Sequence, residues 1–211
     1  MQRIVFATGN AGKMHEIKMI LEGLTIKGEP VELLSMKEAG IDVEIEENGS
    51  SFEENALIKA RAVADAVASA AENIPAIVMA DDSGLEVDQL NGEPGIYSAR
   101  YLGEDTPYHV KNHNLIQRLL GVPDERRTAR FVCAIAAVLP DGMELSARET
   151  VEGRIGYEER GENGFGYDPI FLIPPYDRTT AELTEEEKND ISHRGKALRA
   201  MRKQLVKYFD H

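Results

Sequence analysis

Cysteine is scarce in this sequence, and basic residues are outnumbered by acidic ones. Its 211 residues include one cysteine, Cys133, which excludes an internal disulfide and a metal site built from several cysteines. Because Cys133 lies in the apolar run ARFVCAIAAVL, we expect it to be a packed core thiol. With 24 basic and 37 acidic residues, the net charge is −13. This balance argues against nucleic acid or an acidic membrane as a partner, but it allows a small phosphorylated ligand held by a few basic side chains.

Long hydrophobic runs, linkers, repeats and low-complexity segments are also missing. No apolar run approaches the roughly 18 residues of a membrane span. Residues 1–3 lead into a strand-like run without the apolar region of a signal peptide, so we expect a cytoplasmic protein. Hydrophobic residues make up 42% of the chain, which is enough for a substantial core. The length favours one large domain or two intimate lobes over independent modules.

The hydrophobic pattern predicts strands and helices without strict βαβ alternation. Predicted strands cover residues 2–8, 31–34, 41–46, 76–80, 85–88, 129–139, 144–155 and 170–174. Predicted helices run from about residue 14 to Gly23, from Ser51 to about residue 71, from Thr106-Pro107 to Gly121, and onward from Thr184 and Ser192. Side chains expected in the core from the last two long helices are Leu115, Leu119, Leu120, Leu198, Met201, Leu205 and Phe209. The pairs that fit capping boxes are Ser51 with Glu54 and Thr184 with Glu187. The expected fold class is α/β, with a mixed sheet flanked by helices.

The segment ATGNAGK, residues 7–13, lies where a predicted strand gives way to a helix. A Walker P-loop would require glycine at the position of Ala7 and serine or threonine at the position of Met14, so that motif is excluded. The N-terminus of a helix nevertheless attracts anions, and its amide groups and polar side chains indicate an anion site. The alternative is a capped turn with a surface lysine at Lys13.

The helix that begins at Ser51 carries polar residues on a face that is otherwise apolar. Phe52, Asn55 and Lys59 lie at i, i+3 and i+7 and therefore share one side. Their neighbours on that side are expected to face the core: Ala56, Ala60 and Val63. Lys59 then either snorkels from the edge of the apolar face or, with Asn55, points into a cleft and meets phosphate.

Two adjacent carboxylates, Asp81 and Asp82, follow a predicted buried strand. Because successive side chains of an extended chain point to opposite sides, we expect one of the two to enter a given cleft. Carboxylates suit magnesium, which takes oxygen ligands and keeps several waters. The upstream acidic run of Glu44, Glu46 and Glu47 could supply a second ligand. A solvated acidic turn is the alternative for both segments.

Two further segments indicate contact with a nucleotide. GENGFGYDP, residues 161–169, combines glycines that let the backbone approach a ligand with Phe165 and Tyr167, whose rings can stack on a base. A turn with core aromatics is the alternative. Ser192-His193-Arg194 places basic groups at a helix start, where the macrodipole disfavours cations, and this indicates an anionic or carbonyl partner. Alternatively, Glu185-Glu186-Glu187 pairs with these groups.

Six segments together resemble the inosine triphosphate pyrophosphatase family, the house-cleaning enzymes for non-canonical purine nucleoside triphosphates. They occur in family order and spacing from residue 7 to about residue 198: ATGNAGKMHEI, SFEENALIKARA, ADDSGLEVD, GEPGIYSARY, GENGFGYDPIF and AELTEEEKNDISHRGKAL. The resemblance implies an elongated α/β fold with a long mixed sheet. It also implies a single domain over residues 1–211, with the nucleotide between two lobes, and a homodimer.

The resemblance further implies a reaction and a set of site residues. The reaction is magnesium-dependent (Mg2+) hydrolysis of ITP, dITP and XTP between the α- and β-phosphates, which releases pyrophosphate and removes deaminated purines from the nucleotide pool. Asp82 is the expected metal ligand and proton acceptor, Glu46 is the expected second ligand among the three upstream glutamates, and Lys13 is expected to stabilise the leaving group. The residues expected to bind substrate are Thr8, Gly9, Asn10, Ala11, Gly12, Lys13, Asn55, Lys59, Ser83, Phe165, Gly166, Tyr167, Asp168, Lys188, His193 and Arg194.

Two other functions fit the same residues. One is a phosphohydrolase of different specificity, such as a broad nucleotide or a pyrimidine pyrophosphatase. The other is a nucleotide-binding sensor without turnover. The acidic pair disfavours the sensor, because a phosphate sensor gains little from carboxylates unless metal is bound.

Overall fold

The computed structural model describes residues 2–70, 75–174 and 176–210. Within these residues the strands are β1 (Gln2–Phe6), β2 (Thr25–Ile26), β3 (Glu29–Ser35), β4 (Ile77–Val87), β5 (Thr128–Val138), β6 (Glu144–Ile155), β7 (Phe171–Ile173) and β8 (Arg178–Thr179). The helices are α1 (Ala11–Ile20), α2 (Phe52–Ser69), α3 (Tyr108–Arg118), α4 (Glu185–Ile191) and α5 (His193–Phe209). The predicted α/β class is confirmed.

The eight strands form one mixed sheet in the order β2-β3-β1-β4-β5-β6-β7-β8. β1 runs parallel to β3 and β4, with Ile4 opposite Leu33 on one side and Ile77 on the other. β7 runs antiparallel to β6 and β8. Ile4, Val5 and Phe6 are all buried, as is typical of a parallel strand covered on both faces.

The chain divides into two compact units, of which the first comprises Met1–Asp82, Cys133–Glu149 and Gly195–His211. Its core contains apolar side chains from β1, β4, β5, α1 and α5, among them Phe6, Ile17, Met79, Cys133, Leu198, Met201 and Leu205. Cys133 is fully buried, which confirms the expected core thiol. The apolar stripe predicted for the last helix is also confirmed, with Phe209 packed at the margin of this core.

The second unit comprises Ser83–Val132 and Thr150–Arg194. Its core contains Leu85, Leu115, Leu119, Phe131, Phe171 and Ile173, among others. The rings of Phe131 and Phe171 are in contact, with centroids 4.4 Å apart. The prediction that Leu120 faces the core is wrong: it is 66% exposed, because α3 has ended at Arg118 and the helical period no longer applies.

One strand is longer than the sequence predicts. Two short strands separated by an acidic turn were expected around Asp81 and Asp82, but β4 runs without interruption from Ile77 to Val87. Its side chains are buried on both sides of the aspartates, and the aspartates themselves have basic partners, described below. The extended backbone therefore continues through the two charges.

Other boundaries also differ from the prediction. Residues 41–46 form no strand, and the two-residue strand β2 was not predicted. α2 ends at Ser69, and its predicted end near residue 71 lies outside the described residues. None of the described helices is long and apolar enough to cross a membrane.

The two predicted capping boxes have different outcomes. Ser51 caps α2 by accepting a hydrogen bond from the Glu54 N–H at 3.1 Å, but the Glu54 carboxylate accepts from the Ser50 N–H at 2.7 Å instead of completing the box at Ser51. At α4 the box is reciprocal and confirmed: Glu187 accepts from the Thr184 N–H at 2.9 Å, and the Thr184 hydroxyl accepts from the Glu187 N–H at 3.2 Å.

Candidate active site

In the first unit, the turn between β1 and α1 is a capped helix start. Asn10 is the N-cap, and its Oδ1 accepts a hydrogen bond from the Lys13 N–H at 3.0 Å. The Thr8 hydroxyl accepts from the Asn10 N–H at 3.2 Å. Gly9 is exposed, and a Cβ placed there would meet no atom within 4 Å. Side-chain hydrogen bonds therefore hold the turn, and its backbone is exposed at Gly9.

Lys13 is not a surface lysine. Its ammonium lies 3.0 Å from the carboxylate of Asp81, which is almost fully buried on β4. The sequence left open whether this turn is an anion site or a capped turn with a surface lysine. The contact with Asp81 contradicts the surface lysine, and the anion site stays a prediction.

The polar residues of α2 also point inward. Asn55 is fully buried and Lys59 is 8% exposed. Asn55 accepts a hydrogen bond from the Gly49 N–H at 2.9 Å and donates to Asp82 at 3.3 Å. The Lys59 ammonium lies 3.1 Å from both Asp82 and Glu47. Lys59 therefore does not snorkel to solvent: it sits between two carboxylates.

The alternation of β4 sends its two aspartates to different partners. Asp81 pairs with Lys13 of α1, whereas Asp82 pairs with Lys59 of α2. With Glu47, this cluster holds three carboxylates against two ammonium groups, a surplus of one negative charge if all are ionised (3 − 2 = 1).

The pKa values in this cluster reflect that surplus. Burial raises the pKa of Asp82, and repulsion by Glu47 raises it further, against the attraction of Lys59 and Lys13. Burial would lower the pKa of Lys59, but attraction to the surrounding carboxylates outweighs it and the pKa rises. A cation that binds here would offset the surplus negative charge of the carboxylates and favour their ionised form.

The donor set fits magnesium. Its oxygens are carboxylates, and magnesium is typically bound through one or two of them together with water and substrate phosphate. In the described part of the chain, no three acidic, histidine or cysteine side chains are grouped closely enough to form a complete protein cage. Of the three upstream glutamates, Glu47 is the one whose carboxylate contacts Lys59 in this cluster, whereas Glu44 and Glu46 are exposed. Glu46 as the second ligand stays a prediction.

In the second unit, Asp168 organises the glycine-rich loop. Its buried carboxylate accepts hydrogen bonds from the Phe165 N–H at 2.8 Å, the Thr180 hydroxyl at 2.7 Å and the Lys188 ammonium at 2.7 Å. A Cβ at Gly164 would lie 2.2 Å from Asp168 Oδ2, so the loop closes this tightly only with glycine there. Asp168 therefore holds the loop by its contact with the Phe165 N–H, and Lys188 holds Asp168.

The ring of Phe165 is half-buried and has two cations near it. The Lys188 ammonium is 4.8 Å from the ring centroid and the Arg194 guanidinium carbon is 5.7 Å from it. Arg194 also donates to the Ser83 hydroxyl at 2.9 Å. An aromatic face beside fixed donors is an arrangement that can stack on a base and hydrogen-bond to its edge.

Two predicted site residues are buried supports. The Tyr167 hydroxyl donates to the Ser98 carbonyl at 2.6 Å, and burial raises its pKa. His193 stacks on Phe131 with ring centroids 4.9 Å apart. Thr180 was not predicted, since a lone threonine 12 residues after its aspartate partner carries no signal in the sequence.

The fold and these two groups of side chains define an α/β protein. One group pairs the two aspartates of β4 with lysines of α1 and α2, and the other sets an aromatic ring near two cations on a glycine-rich loop. Residues 4–204 match the Ham1 family, and the chain belongs to that family. The resemblance found in the sequence is thereby confirmed.

Relatives of known name and structure match nearly the full length of the chain. The dITP/XTP pyrophosphatases of Exiguobacterium sibiricum and Bacillus subtilis are each 47% identical, over 98% and 97% of this chain and 98% of their own lengths. The Staphylococcus aureus Ham1 protein superposes with a TM-score of 0.81 at 40% identity, over 98% of this chain and 100% of its own. A Mycobacterium abscessus structure described as a nucleoside-triphosphatase / dITP/XTP pyrophosphatase gives 0.72 at 42% identity, over 95% and 98%.

Proposed function

We propose that this chain hydrolyses the non-canonical purine nucleoside triphosphates ITP, dITP and XTP to nucleoside monophosphate and pyrophosphate, with magnesium. The observation that carries the proposal is the pair of adjacent aspartates on β4, each in contact with a lysine from a different helix. The names of the relatives, dITP/XTP pyrophosphatase, support the substrate class.

The lysines and the helix start handle the phosphates. Phosphoryl substitution needs charge neutralisation and positioning of water more than it needs a protein nucleophile. Lys13 and Lys59 stabilise the negative charge that develops on the leaving pyrophosphate. The backbone N–H groups of Gly9, Ala11 and Gly12 bind phosphate oxygens, because the N-terminus of a helix favours anions. The N–H groups of Thr8, Asn10 and Lys13 instead donate within the turn and to β1.

The carboxylates hold the metal and take the proton. Asp82 and one upstream glutamate are the proposed magnesium ligands; the family likeness supports Glu46, and the contact of Glu47 with Lys59 supports Glu47. When bound, magnesium polarises the phosphate and makes a nearby water more acidic. Asp82 accepts the proton of the attacking water, and burial, which raises its pKa, makes it a better acceptor than an exposed aspartate.

The loop of the second unit selects the base. Phe165 stacks on the purine, and donors such as the Arg194 guanidinium or a backbone N–H hydrogen-bond to a 6-oxo group. An adenine amino group would face another donor at the same point. Selection by hydrogen bonds of this kind rejects a mismatched group far better than an apolar pocket does.

The test is a panel of nucleoside triphosphates incubated with the protein and magnesium, with the products identified by chromatography. We expect IMP and pyrophosphate from ITP, and almost no turnover of ATP or GTP. Orthophosphate with a nucleoside diphosphate would overturn the cleavage position. Equal turnover of pyrimidine nucleotides would favour the broad phosphohydrolase, and binding without products would favour the sensor.

The assembly and location of the protein are proposed from the family likeness alone. We propose a cytoplasmic homodimer. Sedimentation equilibrium at micromolar concentration checks the dimer, and a monomer there would contradict it.

A further inference from the structure

Asn112, on α3 of the second unit, has a buried side-chain amide that hydrogen-bonds to two other residues of that unit. It is 1% exposed. Its Nδ2 donates to the Glu159 carboxylate at 2.6 Å and to the Gly166 carbonyl at 3.2 Å. Both partners are oxygen acceptors, so the amide nitrogen must face them and the orientation of the group is determined.

The amide oxygen of Asn112, in contrast, has no hydrogen-bond donor among the described residues. This atom, Oδ1, is buried. A buried acceptor without a donor lowers stability. Asparagine at this position is therefore explained by its two N–H donors, which bind Glu159 and the Gly166 carbonyl.

Neighbouring side chains of α3 hold the same region. The ring of Tyr108 meets that of Tyr167 edge to face, with centroids 5.3 Å apart and planes at 90°. The Lys111 ammonium donates to the Ala99 carbonyl at 2.5 Å. Gly166, which Asn112 holds, is adjacent to Tyr167 and separates it from Phe165. One face of α3 thus fixes the turn on which the Phe165 ring stands.

We propose that Asn112 is a positioning residue for the nucleobase: its hydrogen bond to the Gly166 carbonyl sets the turn that presents Phe165. It touches no substrate atom itself. The inference rests on the proposed function, because Phe165 is the ring proposed to stack on the purine. Its consequence is specific: loss of the Asn112 donors weakens contacts with the base and leaves contacts with the phosphates unchanged, since Lys13 and Lys59 belong to the other unit.

Asn112→Asp is the direct test, because it keeps the shape of the side chain and places oxygen against both acceptors. Binding is measured by calorimetry for two ligands: a non-hydrolysable α,β-imido analogue of ITP, and inorganic triphosphate, which has no base. We expect the affinity for the analogue to fall by about tenfold, as for the loss of the hydrogen bond to the Gly166 carbonyl, and that for triphosphate to stay within about twofold.

Asn114→Asp is the matched control. It makes the same chemical change on the same helix, but Asn114 uses its Oδ1 to accept from the Tyr101 hydroxyl at 2.7 Å, and aspartate retains that acceptor. We expect both ligands to bind as they do to the unmodified protein. A loss in this control equal to that in Asn112→Asp would assign the effect to charge and overturn the proposal.

A double variant, Asn112→Asp with Glu159→Gln, separates the two contacts. The exchanged amide and carboxylate can pair again, but no donor returns to the Gly166 carbonyl. We expect the melting temperature to recover and the affinity for the analogue to remain low. Full recovery of that affinity would show that Glu159, and not Gly166, is the partner that matters.

The remaining outcomes are decisive as well. Equal loss for both ligands would show a general structural role and contradict positioning of the base. If Asn112→Asp does not fold, Asn112→Ala, which removes the donors without adding charge, makes the same comparison. If the unmodified protein binds the analogue but does not hydrolyse ITP, the proposed function fails, while the comparison of ligands still tests Asn112.

Discussion

Gly164 offers a sharp test of how the Asp168 loop is built. Its φ is +74°, and an alanine Cβ would lie 2.2 Å from Asp168 Oδ2 and 3.1 Å from the Lys188 ammonium. Gly121 has nearly the same φ, +77°, but an added Cβ there meets no atom within 4 Å. Gly164→Ala and Gly121→Ala therefore share the backbone cost and differ in the clash.

The magnitudes follow from these contacts. A left-handed conformation costs a residue with a Cβ about 1–2 kcal/mol, which is the whole effect expected for Gly121→Ala. At Gly164 the methyl group must also displace Asp168 Oδ2, which accepts from Phe165 at 2.8 Å and from Lys188 at 2.7 Å. Loss of one hydrogen bond to a charged group adds about 1.5–3 kcal/mol. We expect about 2.5–5 kcal/mol for Gly164→Ala.

Urea unfolding measures both free energies, and steady-state kinetics with ITP measures the effect on the loop. We expect KM to rise for Gly164→Ala and to stay unchanged for Gly121→Ala, because only the first shifts the loop that carries Phe165. Equal free energies of unfolding for the two variants would refute the argument, since the contact with Asp168 would then contribute nothing.

Three further predictions concern the phosphate site, the metal and a buried arginine. Lys13→Ala should raise KM for ITP about tenfold through the loss of a charge-assisted contact, whereas Lys18→Ala, on the exposed part of α1, should not change it; equal kinetics for both would limit Lys13 to its ion pair with Asp81. Removal of divalent cations with EDTA should abolish turnover and added magnesium should restore it; full activity in EDTA would contradict the metal. Arg127→Met should lower the free energy of unfolding by about 3 kcal/mol, because the guanidinium donates to three buried carbonyls, of which that of Leu119 also accepts from the Val122 N–H; urea unfolding beside Arg126→Met checks this, and equal values would contradict it.

The parts of the site that could be predicted from sequence lie within single elements. Asn55 and Lys59 share a helix face by their spacing, and both are buried in contact with Asp82. The partition of Asp81 and Asp82 to different partners follows from the alternation of an extended chain. These patterns repeat over a few residues and are visible without the fold.

The parts that could not be predicted depend on distant partners. β4 continues through two aspartates, and lysines from two helices balance their charges. Because these lysines are distant in the sequence, the local pattern predicted an acidic turn instead. Glu47 is distinguished from Glu44 and Glu46 by its contact with Lys59, which the local sequence does not show. Asn112 lies 54 residues from Gly166, and no local pattern joins them.

The central claim is that the carboxylate of Asp82 takes part in the reaction. Asp82→Asn should lower kcat for ITP by about a hundredfold or more, as for the loss of a general base. Because burial raises the pKa of Asp82 and Lys59 retains Glu47 at 3.1 Å, we expect the urea midpoint not to fall. Glu86→Gln, which removes a carboxylate elsewhere on β4, is the matched control and should keep full activity.

The most direct measurement is the rate of pyrophosphate release from ITP by these folded proteins. We expect rapid release by the unmodified protein and by Glu86→Gln, and almost none by Asp82→Asn. Normal pyrophosphate release by folded Asp82→Asn would contradict it.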